Sequence, residues 1–280
     1  MDRASDRPPW VPEHSTYFRH DFHAFRFGWS LEARRATAMR WRIPPSAHLG
    51  RRRPAPGSEE GGSVVRFHNR RQAGRELAER LPARTGGGDL AHAVVLALPR
   101  GGVPIGVEVA RSLKVPLDVL VVRTIGVPGA PDVLIGAIAD DEPPLFDSVG
   151  LAAMHLDEHK LGSEIAGERA ALYRSEGFYR AGRSAPHVTG RTVVLVDDGT
   201  AAGITARAAL RHLRRQGPAY LILAVPVCSV DTARALRGEV DALVCLDQPA
   251  HRMPMGEHYA DFEQISDQEV QEALRELHPA

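Results

Sequence analysis

The chain has 280 residues, of which 43% are hydrophobic and 25% are charged, and its 35 basic and 35 acidic side chains cancel. This length and composition are typical of a globular protein with one large domain, or with one domain and an appendage. Because the total charge favours no polyanion, the balance argues against a general binder of nucleic acids or membrane surfaces. The sequence has no run of 18 apolar residues and no N-terminal apolar segment of the signal-peptide type. We therefore expect no transmembrane helix and a cytoplasmic location.

Residues 1–62 differ from the rest of the chain. They are rich in Arg, Pro, His and aromatic residues, and they show no sustained hydrophobic period. Their last part, 51–62 (Arg-Arg-Arg-Pro-Ala-Pro-Gly-Ser-Glu-Glu-Gly-Gly), has the composition of a linker. We interpret 1–62 as a largely disordered extension, with an arm that binds a partner as the alternative. The domain that carries the chemistry is then expected to span residues 63–280.

From residue 64 onwards, helical and strand patterns alternate. Strands are predicted at 93–98, 117–123, 135–139, 144–147, 192–196, 220–227 and 242–246. Helices are predicted at 72–81, 103–113, 149–180, 205–216 and 229–237. The segment Thr124–Leu134 is rich in Gly and Pro, so we expect a mobile loop there. Strands separated by helices predict right-handed crossovers and a parallel sheet with helices on both faces.

The most informative strand end is residues 196–199 (Val-Asp-Asp-Gly), because open α/β sheets bind ligands beyond the carboxyl ends of their strands. Two glycines, Gly199 and Gly203, let a ligand approach the backbone closely, and a helix is predicted to begin at Thr205. The amide groups of this turn and the helix N-terminus would form an anion cradle, to which Thr200 adds a hydroxyl. Because carboxylates repel phosphate, we expect the acids to accept hydrogen bonds from neighbouring sugar hydroxyls while the cradle holds a phosphate.

Two plainer interpretations of this strand end are an acid pair of the receiver-domain kind and a helix that is merely capped. A lone Asp-Asp-Gly would favour them. Here four apolar residues precede the acids and Gly203-Ile204-Thr205 follows at a fixed spacing. This combination favours the binding of a phosphorylated sugar.

Residues 193–205 resemble the phosphoribosyl pyrophosphate (PRPP) motif of type I phosphoribosyltransferases. That pattern is four apolar residues, two acids, a short loop, and then Thr-Gly-x-Thr. The resemblance covers roughly Phe67 to Val270, in the manner of bacterial stand-alone phosphoribosyltransferase-domain proteins. Further supporting segments are Phe67-x-x-Arg70-x-x-Ala73-Gly74, Leu98–Pro104, Leu117–Arg123, Ile135–Ala139 and Tyr259–Asp267. The resemblance implies an α/β fold, with a parallel sheet, helices on both of its faces and a small hood.

The resemblance also implies roles for individual residues. Asp197 and Asp198 would hold the ribose 2′- and 3′-hydroxyls and would be catalytic together with Arg100. PRPP, through its 5′-phosphate, would bind the loop of Gly199, Thr200, Ala201, Ala202, Gly203, Ile204 and Thr205. Pyrophosphate would bind Arg100, Gly101, Gly102 and Arg123. The segment Thr124–Leu134 would close over the reacting centre, and residues after Asp247 would form the hood over the acceptor base.

Three positions depart from the family pattern. Ala202 stands where the family has a Thr before the loop glycine, and a hydrogen bond to a charged group is worth roughly 1.5–3 kcal/mol. Thr200, two residues earlier, could compensate. Thr124 follows Arg123 where a Lys is expected, so that Arg123 would carry the pyrophosphate charge alone. His258 precedes Tyr259 where relatives tend to have an aromatic residue.

The expected reaction is Mg²⁺-dependent transfer of a phosphoribosyl group from PRPP to a nitrogenous base, with release of pyrophosphate. The ion is expected to arrive with the phosphates of PRPP and not in a protein metal cage. The departures keep a second interpretation open, which is a non-catalytic regulatory protein that binds PRPP or a nucleotide. The sequence selects neither the base nor the oligomeric state, for which a homodimer is one possibility.

Other patterns carry less weight. Residues 100–106 lack the full Gly-x-Gly-x-x-Gly fingerprint of dinucleotide binding, and the chain has no P-loop pattern. His155 and His159 are spaced i, i+4 on a predicted helix, which suits a metal ion, but their charged neighbours favour a solvated face.

Overall fold

The computed structural model describes residues 66–200, 203–251 and 253–277. All of them belong to the compact unit that spans residues 58–280. The predicted extension 1–62, with its linker near 51–62, lies outside the described residues. None of the helices in the described part is both long enough and apolar enough to cross a membrane.

Strands and helices alternate along most of the described chain. The strands are β1 (Val94–Ala97), β2 (Leu117–Val119), β3 (Val122–Val127), β4 (Ala130–Ala139), β5 (Leu145–Phe146), β6 (Thr192–Val196), β7 (Tyr220–Val227) and β8 (Ala242–Asp247). The helices are α1 (Arg70–Arg84), α2 (Gly102–Leu113), α3 (Ser148–Ala153), α4 (Gly162–Arg180), α5 (Ile204–Arg215), α6 (Val230–Leu236) and α7 (Asp267–Leu277).

Five parallel strands form the central sheet, in the order β2-β1-β6-β7-β8. One face packs against α1, α2, α4 and α7, through side chains such as Leu77, Ile105 and Val270. The other face packs against α5 and α6, through side chains such as Leu210 and Leu236. Both faces of the inner strands are therefore covered, which explains why the sequences of those strands are unbroken apolar runs. The predicted parallel sheet with helices on both faces is confirmed.

A second, antiparallel sheet of β3, β4 and β5 corrects two predictions. The strand predicted at 117–123 ends at Val119, and the chain enters the second sheet at Val122. The predicted loop Thr124–Leu134 is a β-hairpin. Glycine and proline break strands in isolation, but here the irregularity is confined to a bulge at Gly126 and a tight turn at Gly129, whose φ is +78°.

The prediction of one long helix at 149–180 is also wrong, because the chain breaks between α3 and α4. His155 adopts a left-handed conformation with φ of +53°. The side chain of Asp157 then accepts a hydrogen bond from the backbone N–H of Lys160, which begins a short 3₁₀ turn at Glu158–Leu161. His155 and His159 therefore do not share the helical i, i+4 spacing that would suit a metal ion.

The chain after β8 contains a helix that we did not predict from the sequence. It is α7, whose Val270 and Leu274 are fully buried against the face formed with α1, α2 and α4. Between β8 and α7 the chain crosses the carboxyl edge of the sheet, where Tyr259 pairs with Phe67 ahead of α1. We call residues 255–265 the hood, which corresponds to the predicted hood after Asp247.

Candidate active site

The two predicted ligand-binding loops lie side by side because β1 and β6 are neighbours. Ala97 aligns with Val196, and the backbone N–H of Leu98 donates to the Val196 carbonyl over 2.9 Å. The loop Arg100-Gly101-Gly102 follows β1, after a cis peptide bond between Pro99 and Arg100. It therefore lies beside the tip of β6. A β-carbon on Gly102 would lie 2.7 Å from the Val196 carbonyl oxygen, so the two strand tips are in close contact.

Gly101 brings the acid pair directly against this loop. A β-carbon at Gly101 would overlap the carboxylate of Asp198. The structure thus brings Asp197, Asp198 and the predicted pyrophosphate loop to one place, and the side chain of Arg100 in that loop is exposed. Only a residue without a side chain fits between the loop and the acid.

Two helix N-termini that lack a capping side chain flank the acids. The cap positions of α2 and α5 are Gly101 and Gly203, and neither helix has a side-chain hydrogen bond at its cap. By contrast, α1, α3 and α6 are capped by the side chains of Asn69, Asp147 and Ser229, whereas α4 also lacks such a cap. In α2 the backbone N–H groups of Gly102 and Val103 donate to the Leu98 and Arg100 carbonyls. The N-terminus of α5, which has no side-chain cap, is therefore the better placed of the two to bind an anion, and its helix dipole favours negative charge there.

The predicted 5′-phosphate loop is described in part. Gly199 has φ of +148° and Gly203 has φ of +78°, which are conformations that side chains disfavour. Thr200 is buried, and its backbone N–H donates to the Val227 carbonyl over 3.0 Å, so the loop begins anchored to β7. Ile204 is the first residue of α5 and Thr205 the second. Ala201 and Ala202 lie outside the described residues, so the departure at Ala202 stays a sequence observation.

Asp198 is held by residues far away in sequence. Nε and Nη2 of Arg70 each lie 2.9 Å from its Oδ2, and the Tyr259 hydroxyl donates to its backbone carbonyl over 2.6 Å. The backbone N–H of Asp198 donates to Oδ1 of Asp197 over 2.9 Å. Burial raises the pKa of the Tyr259 hydroxyl, so it remains a donor.

The two carboxyls differ in electrostatic environment. Burial raises the pKa of Asp197 well above its ordinary value, and the neighbouring Asp198 carboxylate raises it further. Burial also raises the pKa of Asp198, but the adjacent Arg70 guanidinium opposes this shift. Asp198 is therefore the acid of the pair that more readily carries a negative charge.

Arg123, the fourth predicted pyrophosphate residue, lies on β3 and has a partner. Its Nε is 2.8 Å from Oε2 of Glu168 on α4, and both side chains are partly exposed. Thr124 follows it within the same strand and aligns with Ala137 of β4. In the described structure, Arg123 would have to exchange Glu168 for a phosphate group in order to bind pyrophosphate.

Sequence reasoning did not assign a role to Arg70, Tyr259 or Phe262, although all three lie in segments that carried the resemblance. Arg70 stands 128 positions before Asp198 and 193 before Glu263, its two polar partners. A short sequence window contains no signal for such pairs. The one available signal is an arginine at the start of a helix, where positive charge is unfavourable, and it suggests a specific partner.

Comparison with known proteins gives consistent results. The family described as phosphoribosyl transferase domain matches residues 63–250. Two Mycobacterium tuberculosis proteins, MT0597 of strain CDC 1551 and Rv0571c of strain H37Rv, are each 41% identical over 212 residues. Both are named provisionally as phosphoribosyl transferases. The match covers 76% of this chain and 47% of each relative, so the chain spans about half the length of these relatives.

A solved structure is similar over its whole length. The protein TT1426 from Thermus thermophilus is 37% identical in sequence, with a TM-score of 0.63, and the alignment covers 76% of this chain and 99% of that one. The family match spans more than half of the present chain, and the parallel sheet has the expected loops at its carboxyl edge. The chain therefore belongs to the phosphoribosyl transferase domain family, with the type I phosphoribosyltransferase fold.

Proposed function

We propose that this protein transfers a phosphoribosyl group from PRPP to a nitrogenous base and releases pyrophosphate. One observation carries the proposal: Asp197 and Asp198 contact the loop Arg100-Gly101-Gly102, and the turn that follows them leads to the N-terminus of α5, which has no side-chain cap. A sugar with anionic groups at both ends matches this arrangement, with hydroxyls for the acids, pyrophosphate for the loop and a phosphate for the N-terminus of α5. PRPP is such a molecule.

Different parts of the site would bind different parts of PRPP. The N-terminus of α5 and the turn at Gly199 and Gly203 would bind the 5′-phosphate. Asp197 and Asp198 would accept hydrogen bonds from the ribose hydroxyls, and the loop Arg100-Gly101-Gly102 would bind pyrophosphate through backbone N–H groups and the exposed arginine.

Chemistry at the anomeric carbon requires the bond to pyrophosphate to break while a bond to the base nitrogen forms. The sugar then carries partial positive charge, which the negative field of the acid pair would stabilise. Arg100 and the amides of its loop would stabilise the negative charge that develops on the leaving pyrophosphate. Closure of the β3–β4 hairpin would exclude water, which otherwise competes with the base.

The residues at this site fit an Mg²⁺ ion that is delivered with its substrate. The described part of the chain has no group of three or more His, Cys, Asp or Glu side chains able to hold a metal ion. Mg²⁺ takes oxygen ligands and is commonly bound through one or two carboxylates together with substrate phosphates. Asp197 and Asp198 could supply such carboxylates, and the ion would neutralise charge on the pyrophosphate.

The decisive experiment measures pyrophosphate release from PRPP and Mg²⁺ with a panel of purine and pyrimidine bases. We expect release that depends on one base or a small group of bases. Asp198→Asn should weaken PRPP binding at least about tenfold, because a hydrogen bond to a charged group is lost. Asp89→Asn, an exposed acid before β1, is the matched control and should bind normally. Tight PRPP binding without pyrophosphate release from any base would contradict an enzymatic role.

That last result would favour the second candidate, a regulatory protein that binds PRPP or a nucleotide without turnover. Its specific support is Ala202 in the phosphate loop, Thr124 after Arg123, and the engagement of Arg123 by Glu168. The double variant Ala202→Thr with Thr124→Lys tests it. If the double variant releases pyrophosphate, Ala202 and Thr124 explain the loss of turnover. If the double variant is as inactive as the wild type, these two residues do not explain it. A cytoplasmic location and a homodimeric assembly are further parts of our proposal.

A further inference from the structure

Arg70 is the first residue of α1, and its side chain is nearly buried at the acid pair, with 10% of its surface exposed. Nε and Nη2 both bind Oδ2 of Asp198 over 2.9 Å, and Nη1 donates to the Glu263 carbonyl of the hood over 2.6 Å. One guanidinium group therefore connects three parts of the chain: α1, the tip of β6 and the hood.

Aromatic residues of the hood enclose the same guanidinium. Its central carbon lies 3.7 Å from the centroid of the Phe262 ring and 6.0 Å from that of Tyr259. Tyr259 stacks on Phe262 and also donates its hydroxyl to the Asp198 carbonyl. Cation–π contacts of a desolvated arginine are substantial, so the hood is fixed to Asp198 from two sides.

The contacts leave a particular pair of oxygens free. Arg70 donates hydrogen bonds to Oδ2 of Asp198, and the backbone N–H of Asp198 donates to Oδ1 of Asp197. Within the described residues, no other residue donates a hydrogen bond to Oδ1 of Asp198 or to Oδ2 of Asp197. One oxygen of each acid thus remains for the two neighbouring hydroxyls of a ribose.

We infer that Arg70 is a positioning residue of the proposed ribose site, which holds Asp198 by one oxygen and couples the hood to it. The inference rests on the proposed function, because it assumes that a ribose binds these acids. It adds a residue on α1 that need not contact the substrate and would act through Asp198.

The test compares Arg70→Met with Arg180→Met. Arg180 is a similarly buried arginine that pairs with Asp118 over 3.4 Å, away from the acid pair, so its loss should cost stability without altering the site. The probes are ribose 5-phosphate and 2-deoxyribose 5-phosphate, which share the phosphate and differ in one hydroxyl. Arg70→Lys is the conservative variant, since it keeps the charge but cannot reach both Asp198 and Glu263 in the same way.

In Arg70→Met we expect ribose 5-phosphate to bind at least about tenfold more weakly. The ratio of the affinities for ribose 5-phosphate and 2-deoxyribose 5-phosphate should fall towards one. Arg70→Lys should recover part of the affinity and part of this ratio, and Arg180→Met should keep the wild-type values of both. Hydrogen exchange without ligand should also rise in the hood in Arg70→Met and not in Arg180→Met, because the hood loses its anchor.

The outcomes separate the two proposals. If wild-type protein binds both sugar phosphates with a clear preference and Arg70→Met keeps that preference, the role of Arg70 is refuted and the proposed function stands. If the wild type shows no preference for ribose, the assignment of the acids to ribose fails, and the role of Arg70 fails with it. If Arg70→Met does not fold, Arg70→Gln takes its place, and a wild-type preference for ribose in Arg70→Gln would equally refute the role.

Discussion

Gly101 shows how one position can decide whether the site exists. Its missing side chain is what allows Asp198 to lie against the β1–α2 loop, since a β-carbon would occupy the place of the carboxylate. Its φ of −62° is accessible to any residue, so the requirement for glycine is one of space and not of backbone conformation. The acid and the loop can approach each other only because Gly101 adds no bulk at their contact.

We therefore predict that Gly101→Ala weakens PRPP binding at least about tenfold, because the Asp198 carboxylate must move away from the Arg70 guanidinium. A titration with PRPP and Mg²⁺ measures this. Gly167→Ala is the matched control: nothing lies within 4 Å of a β-carbon there, and the position is inside α4. That control should gain up to about 1 kcal/mol of stability without a change in affinity. Equal affinities for both variants would contradict the close packing at Gly101.

Ionisation of the buried Asp197 carboxyl lowers the stability of the ligand-free protein. Its pKa in the folded protein is raised by burial and by Asp198. Below the ordinary value of 3.8 the carboxyl is neutral in both states and costs nothing. As the pH rises above that value the unfolded chain ionises first, so stability falls until the folded pKa is reached, by about 1.4 kcal/mol for each unit of the shift.

We predict that Asp197→Asn raises the melting temperature of the ligand-free protein at about pH 8 and that this gain shrinks as the pH falls towards about 4. Thermal unfolding of both proteins across this range measures it. Asp89→Asn should behave oppositely, because His92 lowers the pKa of Asp89 in the folded state. A gain at Asp197 that is the same at every pH would show that the burial of its charge is not the cause.

Residues whose role depends on a local pattern could be predicted from the sequence. Asp197, Asp198, Gly199 and Gly203 follow an apolar strand within a few positions, and a strand–turn–helix unit fixes their relation without help from the rest of the chain. Arg70 could not be predicted in this way. Its role depends on which strand tip α1 meets, and this is set by the packing of the whole sheet.

At the level of elements, the β3–β4 hairpin determines the position of Arg123, which lies on β3 and pairs with Glu168 of α4. Gly and Pro between residues 124 and 134 predicted a loop, because in isolation they break strands. Pairing between β3 and β4 overrides that tendency, with a bulge that absorbs the irregularity at Gly126. Arg123 is consequently placed by a strand, opposite α4.

If Arg123 binds pyrophosphate, then Glu168 competes with it. We predict that Glu168→Gln tightens pyrophosphate binding by up to about fivefold, because a partly exposed ion pair is worth up to about 1 kcal/mol. Arg123→Met should weaken binding. Glu164→Gln removes the same charge one turn earlier on α4, where its partner is Ser163, and serves as the control. Calorimetric titration with pyrophosphate measures all four proteins. Identical effects of the two glutamine variants would show that only net charge matters.

The break between α3 and α4 and the presence of α7 show what helical patterns predict and what they do not. Charged and small residues between 149 and 180 are compatible with one continuous helix, and the left-handed conformation at His155 interrupts it. In α7, the apolar residues Val270, Ala273, Leu274 and Leu277 recur at the i, i+3, i+4, i+7 spacing of an amphipathic helix, and all four pack against the core. That helix could therefore have been predicted from the sequence.

For the whole molecule, the order of helices and strands was enough to predict the sheet. Buried parallel strands are apolar on both faces and are separated by amphipathic helices, so the fold class could be inferred. The adjacency of β1 and β6 does not follow from that order, because the two strands are far apart in the chain. The second sheet was not predicted as a separate sheet, although strands were predicted at 135–139 and 144–147, because the segment Thr124–Leu134 was interpreted as a loop. The provisionally named relatives are about twice as long as the matched region, and the present chain accounts for one part of their length.

The contacts of Arg70 have a consequence for the order in which the protein is made. They join residue 70, near the start of the domain, to Asp198 and then to Glu263, close to the end. During synthesis the acid pair emerges from the ribosome long before the hood that secures it, since domains are completed from the N-terminus. A nascent chain that ends at the tip of β6 holds both acids and the arginine that pairs with them, but the hood that covers them is still to come. Competence to bind a sugar phosphate would thus arrive only after the hood has been made.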